Sequence, residues 1–279
     1  MSGTVTQADK GRRFQQLHQG PQAFVIPNPW DAGSARLLAT LGFEALATTS
    51  AGYAFTLGVC DNEVGRDTML QHAGQLVSAT DLPVSADLEN GFADEPEAVA
   101  ETIRLAAAAG LVGASIEDAT GRPDEPIYPR ELAVERVRAA AAVARSLPFP
   151  FMLTARAENF LLGRQDLPDT IARLQAYQEA GAHVLYAPGL TTRDQIKAVV
   201  DAVDLPVNVI MGLPGVRLTV TELSALGVRR ISVGSSFARA ALGAFLRAAR
   251  EVKEKGTFDY GNDAIGYKDI SELFRTARR

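Results

Sequence analysis

Asp87 and Glu89 stand two apart at the end of a short apolar run, PVSADLEN, and are answered further along by Glu117 and Asp118 in VGASIEDA. In a β-strand, residues two apart point the same way, so Asp87 and Glu89 are expected to project together while Leu88 turns to the opposite face. Clustered carboxylates repel one another unless a cation sits between them. Oxygen donors with no His or Cys nearby suit a hard divalent ion, Mg²⁺ first and Mn²⁺ as the alternative. Acids also cap strand ends and begin helices, and a single D-x-E would carry no more than that. A third strand end, FMLTARAE, adds Arg156 and Glu158, and three polar termini in succession favour one shared site.

The elements that must hold these residues recur regularly. Apolar or β-branched runs begin at Phe24, Ala45, Pro83, Val112, Phe151, His183, Pro206 and Arg229, with amphipathic, Ala-rich stretches between them. Several of those stretches reach a glycine just before the next run, as in AAG and EAGA. This is the rhythm of an α/β fold of the (β/α)₈ TIM-barrel type. In a barrel, chemistry sits at the carboxyl ends of the strands, where Asp87, Glu89, Glu117, Arg156, Tyr186 and Asn208 all fall. A doubly wound sheet is the rival, but no G-x-G-x-x-G follows the first strand. After the eighth run, SFARAALGAFLRAAREVKEKG reads as a long helix and AIGYKDISELFRTARR as an additional one. The chain is expected to form a single barrel domain over 1–279, with 256–279 as a C-terminal extension suited to subunit contact or to capping the same barrel.

With 279 residues, 47% of them hydrophobic and 22% charged, the chain has the composition of a globular protein with a large core. Acids exceed bases only mildly, 33 against 28, and no basic stripe with interleaved aromatics is present. Nucleic acid and anionic membrane are therefore not expected as partners, and a small solute is. No signal peptide or membrane-span pattern is evident, so the expected location is cytoplasmic. Cys60 is the single cysteine and cannot form an internal disulfide.

Several blocks, in order, resemble one known family: DAGSARLLATLGFEAL leading into TTSAG, then LGVCDNE, SADLENGF, SIEDA, TARAENFLLGR, ARLQAYQEAGAHVLYAPG and RRISVGSSFARAALGAF. From about Phe24 to about Arg250 the chain is similar to the isocitrate lyase and phosphoenolpyruvate mutase superfamily. That resemblance implies a Mg²⁺-dependent barrel that makes or breaks a bond beside a 2-oxo carboxylate. It also implies a homotetramer, a dimer of dimers that exchanges a C-terminal helix. On this basis Asp87 matches the direct metal ligand, Asp61, Glu89 and Glu117 match acids that hold the metal's waters, and Arg156 matches the arginine that grips the substrate. Mg²⁺ takes about six oxygens and keeps waters readily, which agrees with one direct carboxylate. A cation on a carbonyl oxygen stabilises the enolate formed when a neighbouring bond breaks. Backbone N–H groups of Ser50, Ala51 and Gly52 could bind the same anion, with Tyr53 and Asn208 as further pocket wall. Arg156 could instead be a structural partner of Glu117 or Glu158.

The segment EDATGRPDEPIYPRELA departs from the family. Isocitrate and methylisocitrate lyases carry a Lys-Cys-Gly-His cluster there, and the phosphonate enzymes a Lys-x-x-Asn-Ser type loop. Neither is present. Cys60 is expected to be a small core residue, and His18, His72 and His183 lie away from the catalytic face. The expected function is thus a Mg²⁺-dependent lyase that cleaves a carbon–carbon bond of a small 2-oxo or 2-hydroxy di- or tricarboxylate through a metal-stabilised enolate, of the oxaloacetate decarboxylase or isocitrate/methylisocitrate lyase kind. Carbon–phosphorus chemistry of the phosphonopyruvate hydrolase or mutase type is the alternative. A barrel that binds a 2-oxo acid without turnover is a third reading.

Overall fold

The computed structural model describes residues 5–277. Its strands are β1 (Phe24–Ile26), β2 (Leu46–Ala47), β3 (Val84–Asp87), β4 (Gly113–Glu117), β5 (Met152–Arg156), β6 (Val184–Tyr186), β7 (Val207–Ile210) and β8 (Arg230–Ser232). Helix α1 (Gln7–Gln19) precedes them, α2 (Ala32–Thr40) follows β1, and α3 (Ser50–Leu57) and α4 (Arg66–Ala79) follow β2. Then α5 (Pro96–Ala108), α6 (Arg130–Ser146), α7 (Leu167–Glu179), α8 (Arg193–Asp201) and α9 (Val220–Ala225) each follow one strand in turn. Beyond β8 come α10 (Ser236–Lys255), a 3₁₀ turn over Asp259–Asn262, and α11 (Tyr267–Thr276).

All ladders are parallel, in the order β1-β8-β7-β6-β5-β4-β3-β2. The ring is drawn together between β1 and β2 by the Ala47 N–H, which donates to the Pro27 carbonyl at 3.1 Å. This is the (β/α)₈ barrel that the alternating pattern predicts, with C-terminal helices added. Short runs of small and β-branched residues suit strands covered on both faces. Several helices start where side chains satisfy open N–H groups: Asp31 and Ser34 form a capping box on α2, and Thr192 and Gln195 one on α8. Gly110 and Gly181 adopt φ of 93° and 101° as α5 and α7 turn into the next strand. At Gly181 that left-handed dihedral is what calls for glycine, since the nearest obstacle to a Cβ is the mobile end of the Arg145 side chain.

The largest apolar cluster lies between the strands and the helices that surround them. A second cluster closes the amino-terminal end of the barrel, where Phe14 of α1 packs among Ile26, Ala45, Val112, Met152 and Val184. His18 sits beside it, edge-on to Phe14 at 4.7 Å and to Phe24 at 5.0 Å. Its Nδ1 lies 2.8 Å from the Phe14 carbonyl and therefore carries the proton, which leaves Nε2 facing Arg230 Nη1 at 3.5 Å. At the other extreme, α10 buries only Ala238 and exposes Phe237, Leu242, Phe245 and Leu246. Helix α11 folds back on α2, with Phe274 over Gly33. Among the described residues, no helix is long and apolar enough to cross a membrane.

Burial, reinforced by the charge of Arg230, pulls the His18 imidazole from 6.5 down to about 3. The unfolded chain therefore takes up a proton near pH 6.5 that the folded chain refuses until about pH 3. Stability is full above pH 6.5 and is lost as the pH falls from there, by about 1.4 kcal/mol per pH unit from this residue. Urea unfolding between pH 7 and pH 5 should show a shallower pH dependence for His18→Gln than for the wild type.

Candidate active site at the carboxyl ends of the strands

The strand ends open onto one cavity of about 480 Å³, and a guanidinium stands among its acids. Arg156, the last residue of β5, donates from Nη1 to Asp87 at 2.8 Å, from Nη2 to Glu117 at 2.9 Å and from Nε to Glu158 at 2.8 Å. Its flat face approaches the Tyr186 ring, 5.3 Å from the centroid. A planar fork is the side chain that can serve three carboxylates at once from fixed directions. Asp87, at the end of β3, also accepts from the Ser50 hydroxyl at 3.0 Å and the Ser50 N–H at 3.3 Å.

Glu89 and Asp61 complete the acidic wall. Glu89 does not reach the cavity by strand alternation, as the D-x-E spacing predicts, because β3 stops at Asp87. Leu88 is buried in the core and Glu89 takes a left-handed turn with φ of 49°, which swings its side chain inward. The turn is held by Leu88 N–H to the Ser115 carbonyl (3.2 Å) and Glu117 N–H to the Glu89 carbonyl (2.9 Å). Glu89 Oε1 is buried without a hydrogen-bond partner. Burial, then the charges of Asp87 and Asp61, push this carboxyl up to about 8. Burial followed by Asp87 likewise raises Asp61, and burial raises Glu117 well above the usual carboxylate range against the pull of Arg156. Asp118 turns away from the cavity: it receives Tyr177 Oη at 2.5 Å, Arg173 Nη1 at 3.1 Å and the Glu158 N–H at 2.8 Å, tying β4 to α7.

The remaining sequence candidates divide. Ser50, Ala51 and Asn208 line the cavity. Gly52 and Tyr53 do not. Gly52 lies inside α3 and its N–H is taken by the Thr49 hydroxyl (3.2 Å), while a Cβ there would strike Thr49 Cγ2 at 2.5 Å. Tyr53 stacks on His72, ring centroids 3.7 Å apart. One helical turn carries Ser50 and Tyr53 to different surroundings, which consecutive numbering does not reveal. Cys60, expected in the core, is exposed in the turn before Asp61. The segment after β4 covers the mouth: Ala119 bridges Ile127, Arg122 pairs with Asp94 at 2.7 Å, and Arg122, Pro123 and Pro126 face the cavity. Sequence reading passed over Arg230 and Ser232, which also line it. Their signal was present in RRISVGSS, where two polar residues alternate with Ile231 and must share a face.

Among the described residues, no three His, Cys, Asp or Glu side chains converge closely enough to hold a bare ion between them. The donor set instead fits a hydrated hard cation, which takes one direct carboxylate and holds its waters on acids farther out. Five acids, Asp61, Asp87, Glu89, Glu117 and Glu158, face the cavity that Arg156 enters. The orphaned Glu89 oxygen and the raised Asp61 and Glu89 carboxyls mark where positive charge is lacking.

A barrel with acids and an arginine gathered over one cavity at its strand ends has the layout of an enzyme active site. The chain belongs to the phosphoenolpyruvate phosphomutase family, which it matches over residues 14–253. It is 31% identical to the 2-methylisocitrate lyase of Escherichia coli (strain K12) over 205 residues, 71% of this chain and 68% of that one. A crystal structure from Burkholderia cenocepacia J2315, provisionally designated a lyase/mutase, is similar with 64% identity, TM-score 0.94 and 96% of each chain covered. Oxaloacetate acetylhydrolase with its product oxalate superposes with TM-score 0.84 at 26% identity, over 95% of this chain and 93% of that one. A phosphonopyruvate hydrolase complexed with oxalate and Mg²⁺ shares the fold, with TM-score 0.85 and 23% identity over 96% of each chain.

Removing Arg156 would strand Glu117 and Glu158 as buried, unpaired carboxylates. Arg156→Met is expected to destabilise the protein by about 3–5 kcal/mol, read as a fall in the urea midpoint at pH 7. An unchanged midpoint would show that these ion pairs do not hold the strand ends together.

Proposed function

We propose that this protein is a Mg²⁺-dependent lyase that breaks a carbon–carbon bond beside the carbonyl of a small 2-oxo or 2-hydroxy carboxylate. The observation that carries this reading is the excess of carboxylates over cations at the mouth, together with the unpartnered Glu89 oxygen. Asp87 would hold the ion directly, and Asp61, Glu89 and Glu117 would hold its waters. Bound there, Mg²⁺ supplies a Lewis acid for negative charge that develops on a carbonyl oxygen.

The chain's own groups prepare that chemistry. Arg156 and Ser50 fix the Asp87 carboxylate from two sides, so it needs little rearrangement to act as a ligand. Arg156 also favours the ionised form of Glu117, against burial. Pro123 and Pro126 of the segment over the mouth add apolar surface to the cavity wall. That segment carries neither the thiol nor the imidazole of the Lys-Cys-Gly-His gate, which favours a reaction that does not depend on those groups. A reaction in which CO₂ leaves is of that kind. Similarity to a 2-methylisocitrate lyase and an oxaloacetate acetylhydrolase supports carbon–carbon over carbon–phosphorus cleavage.

Asp87→Ala should remove Mg²⁺-dependent turnover while leaving circular dichroism unchanged. The assay is a panel of oxaloacetate, isocitrate, methylisocitrate and phosphonopyruvate, run with Mg²⁺ and again after chelation. Full activity in Asp87→Ala would end the metal assignment, and phosphate release from phosphonopyruvate alone would transfer the reading to carbon–phosphorus bonds.

The proposed assembly is a homotetramer, a dimer of dimers in which further copies of the chain cover α10. Phe245 is 65% and Leu246 47% exposed on that helix, an apolar stripe that water alone does not favour. Sedimentation of Phe245→Asp should yield smaller particles than the wild type. A monomeric wild type would dispose of this assembly.

A further inference from the structure

Three arginines line the cavity, and they differ in what neutralises them: Arg122, on the segment over the mouth, pairs with Asp94. Arg156 is matched by three carboxylates. Arg230, on β8, is matched by none: no ion pair among the described residues includes it. Its Nε donates to Asn208 Oδ1 at 2.9 Å, its Nη2 to Thr154 Oγ1 at 2.9 Å, and its Nη1 lies 3.5 Å from His18 Nε2. All three partners are neutral, since His18 is held unprotonated by burial and by Arg230 itself. Arg230 is only 5% exposed, yet it forms part of the cavity floor. Burial, with Arg156 as a further cause, lowers its pKa to about 10, so it stays charged at neutral pH.

A buried guanidinium with no counter-ion is costly, and such groups are normally paired or take an anionic ligand. A guanidinium also carries more N–H groups than these acceptors occupy. The acids Asp61, Asp87, Glu89 and Glu117 come from the segments around β2, β3 and β4, whereas Arg230 and its partner Asn208 come from β8 and β7. Charge in the cavity is therefore divided, acids on one side and an unmatched cation on the other. Neither Asn208 nor Thr154 explains why the residue between them should be charged, because a neutral amide could make both hydrogen bonds.

We propose that Arg230 is the specificity-determining residue that binds the second negative charge of a dianionic 2-oxo acid, the oxo-acid end of which lies toward Asp87. This rests on the reading of the cavity as a 2-oxo acid site. Asn208, oriented by Arg230 and by its own donation to Ser232 Oγ at 3.0 Å, is then a positioning neighbour. Arg156, already shared among three acids, serves mainly to hold the carboxylates in place.

The test is calorimetric binding, in Mg²⁺, of two matched pairs: oxaloacetate against 2-oxobutanoate, and 2-oxoglutarate against 2-oxopentanoate. Each pair exchanges a carboxylate for a methyl group and keeps the oxo-acid end. The wild type should bind the dianion of at least one pair tenfold or more tightly. Arg230→Met should bring that ratio to within about threefold, chiefly by weakening the dianion, and Arg230→Lys should restore part of it. Equal wild-type binding within both pairs overturns the proposal, whatever the variants do. So does an Arg230→Met or Arg230→Lys protein that weakens both members equally, the result of a merely structural role, or one that leaves the preference intact. Binding without turnover would count against the lyase reading and leave Arg230 standing. No binding of any acid would end both.

Discussion

The guanidinium of Arg156 is the constraint on which the cavity depends. Asp87, Glu117 and Glu158 come from three neighbouring strand ends, and like charges this close would drive the strands apart or take up protons if no cation bridged them. One planar fork answers all three, with each N–H aimed at a different strand. Because β4 and β5 are paired with Glu117 opposite Arg156, the sheet register itself places the cation beside its first partner. The same contact that steadies the strand ends therefore also aims the Asp87 and Glu117 carboxylates.

A second polar layer lies beneath it. Most barrel interiors are filled with branched apolar side chains, but here Thr154, Asn208, Arg230 and His18 form a hydrogen-bonded chain from the strands down to α1. Phe14 seals this layer from below, inserted where Gly113 leaves room for its ring. The carboxylates above carry an excess of negative charge and the layer beneath carries a positive one. This division polarises the cavity from one side to the other.

Much of the fold was legible because a barrel repeats. Eight apolar runs, each followed by an amphipathic stretch and several of them by a glycine, specify strand and helix through local hydrophobic period and turn chemistry. Asp87, Glu117 and Arg156 were legible for the same reason, since a polar residue at the end of a buried strand faces the mouth of the barrel. Glu89 was found on a mistaken ground. Its spacing from Asp87 suggested a shared strand face, whereas a left-handed turn delivers it. Gly52 and Tyr53 were misplaced because they follow a pocket residue in number while α3 rotates them away from it.

By itself the sequence determined the kind of fold, the order of its elements and which strand ends carry charge, because these follow from patterns spanning a few residues. Only the tertiary structure decided who pairs with whom. Arg156 meets Asp87, and Arg230 meets Thr154, across separations of 69 and 76 residues, and closure of the ring brings those groups together. Whether a buried charge finds a counter-charge depends on every element packed around it. That is why two arginines, each at a strand position facing the barrel interior, have such different surroundings.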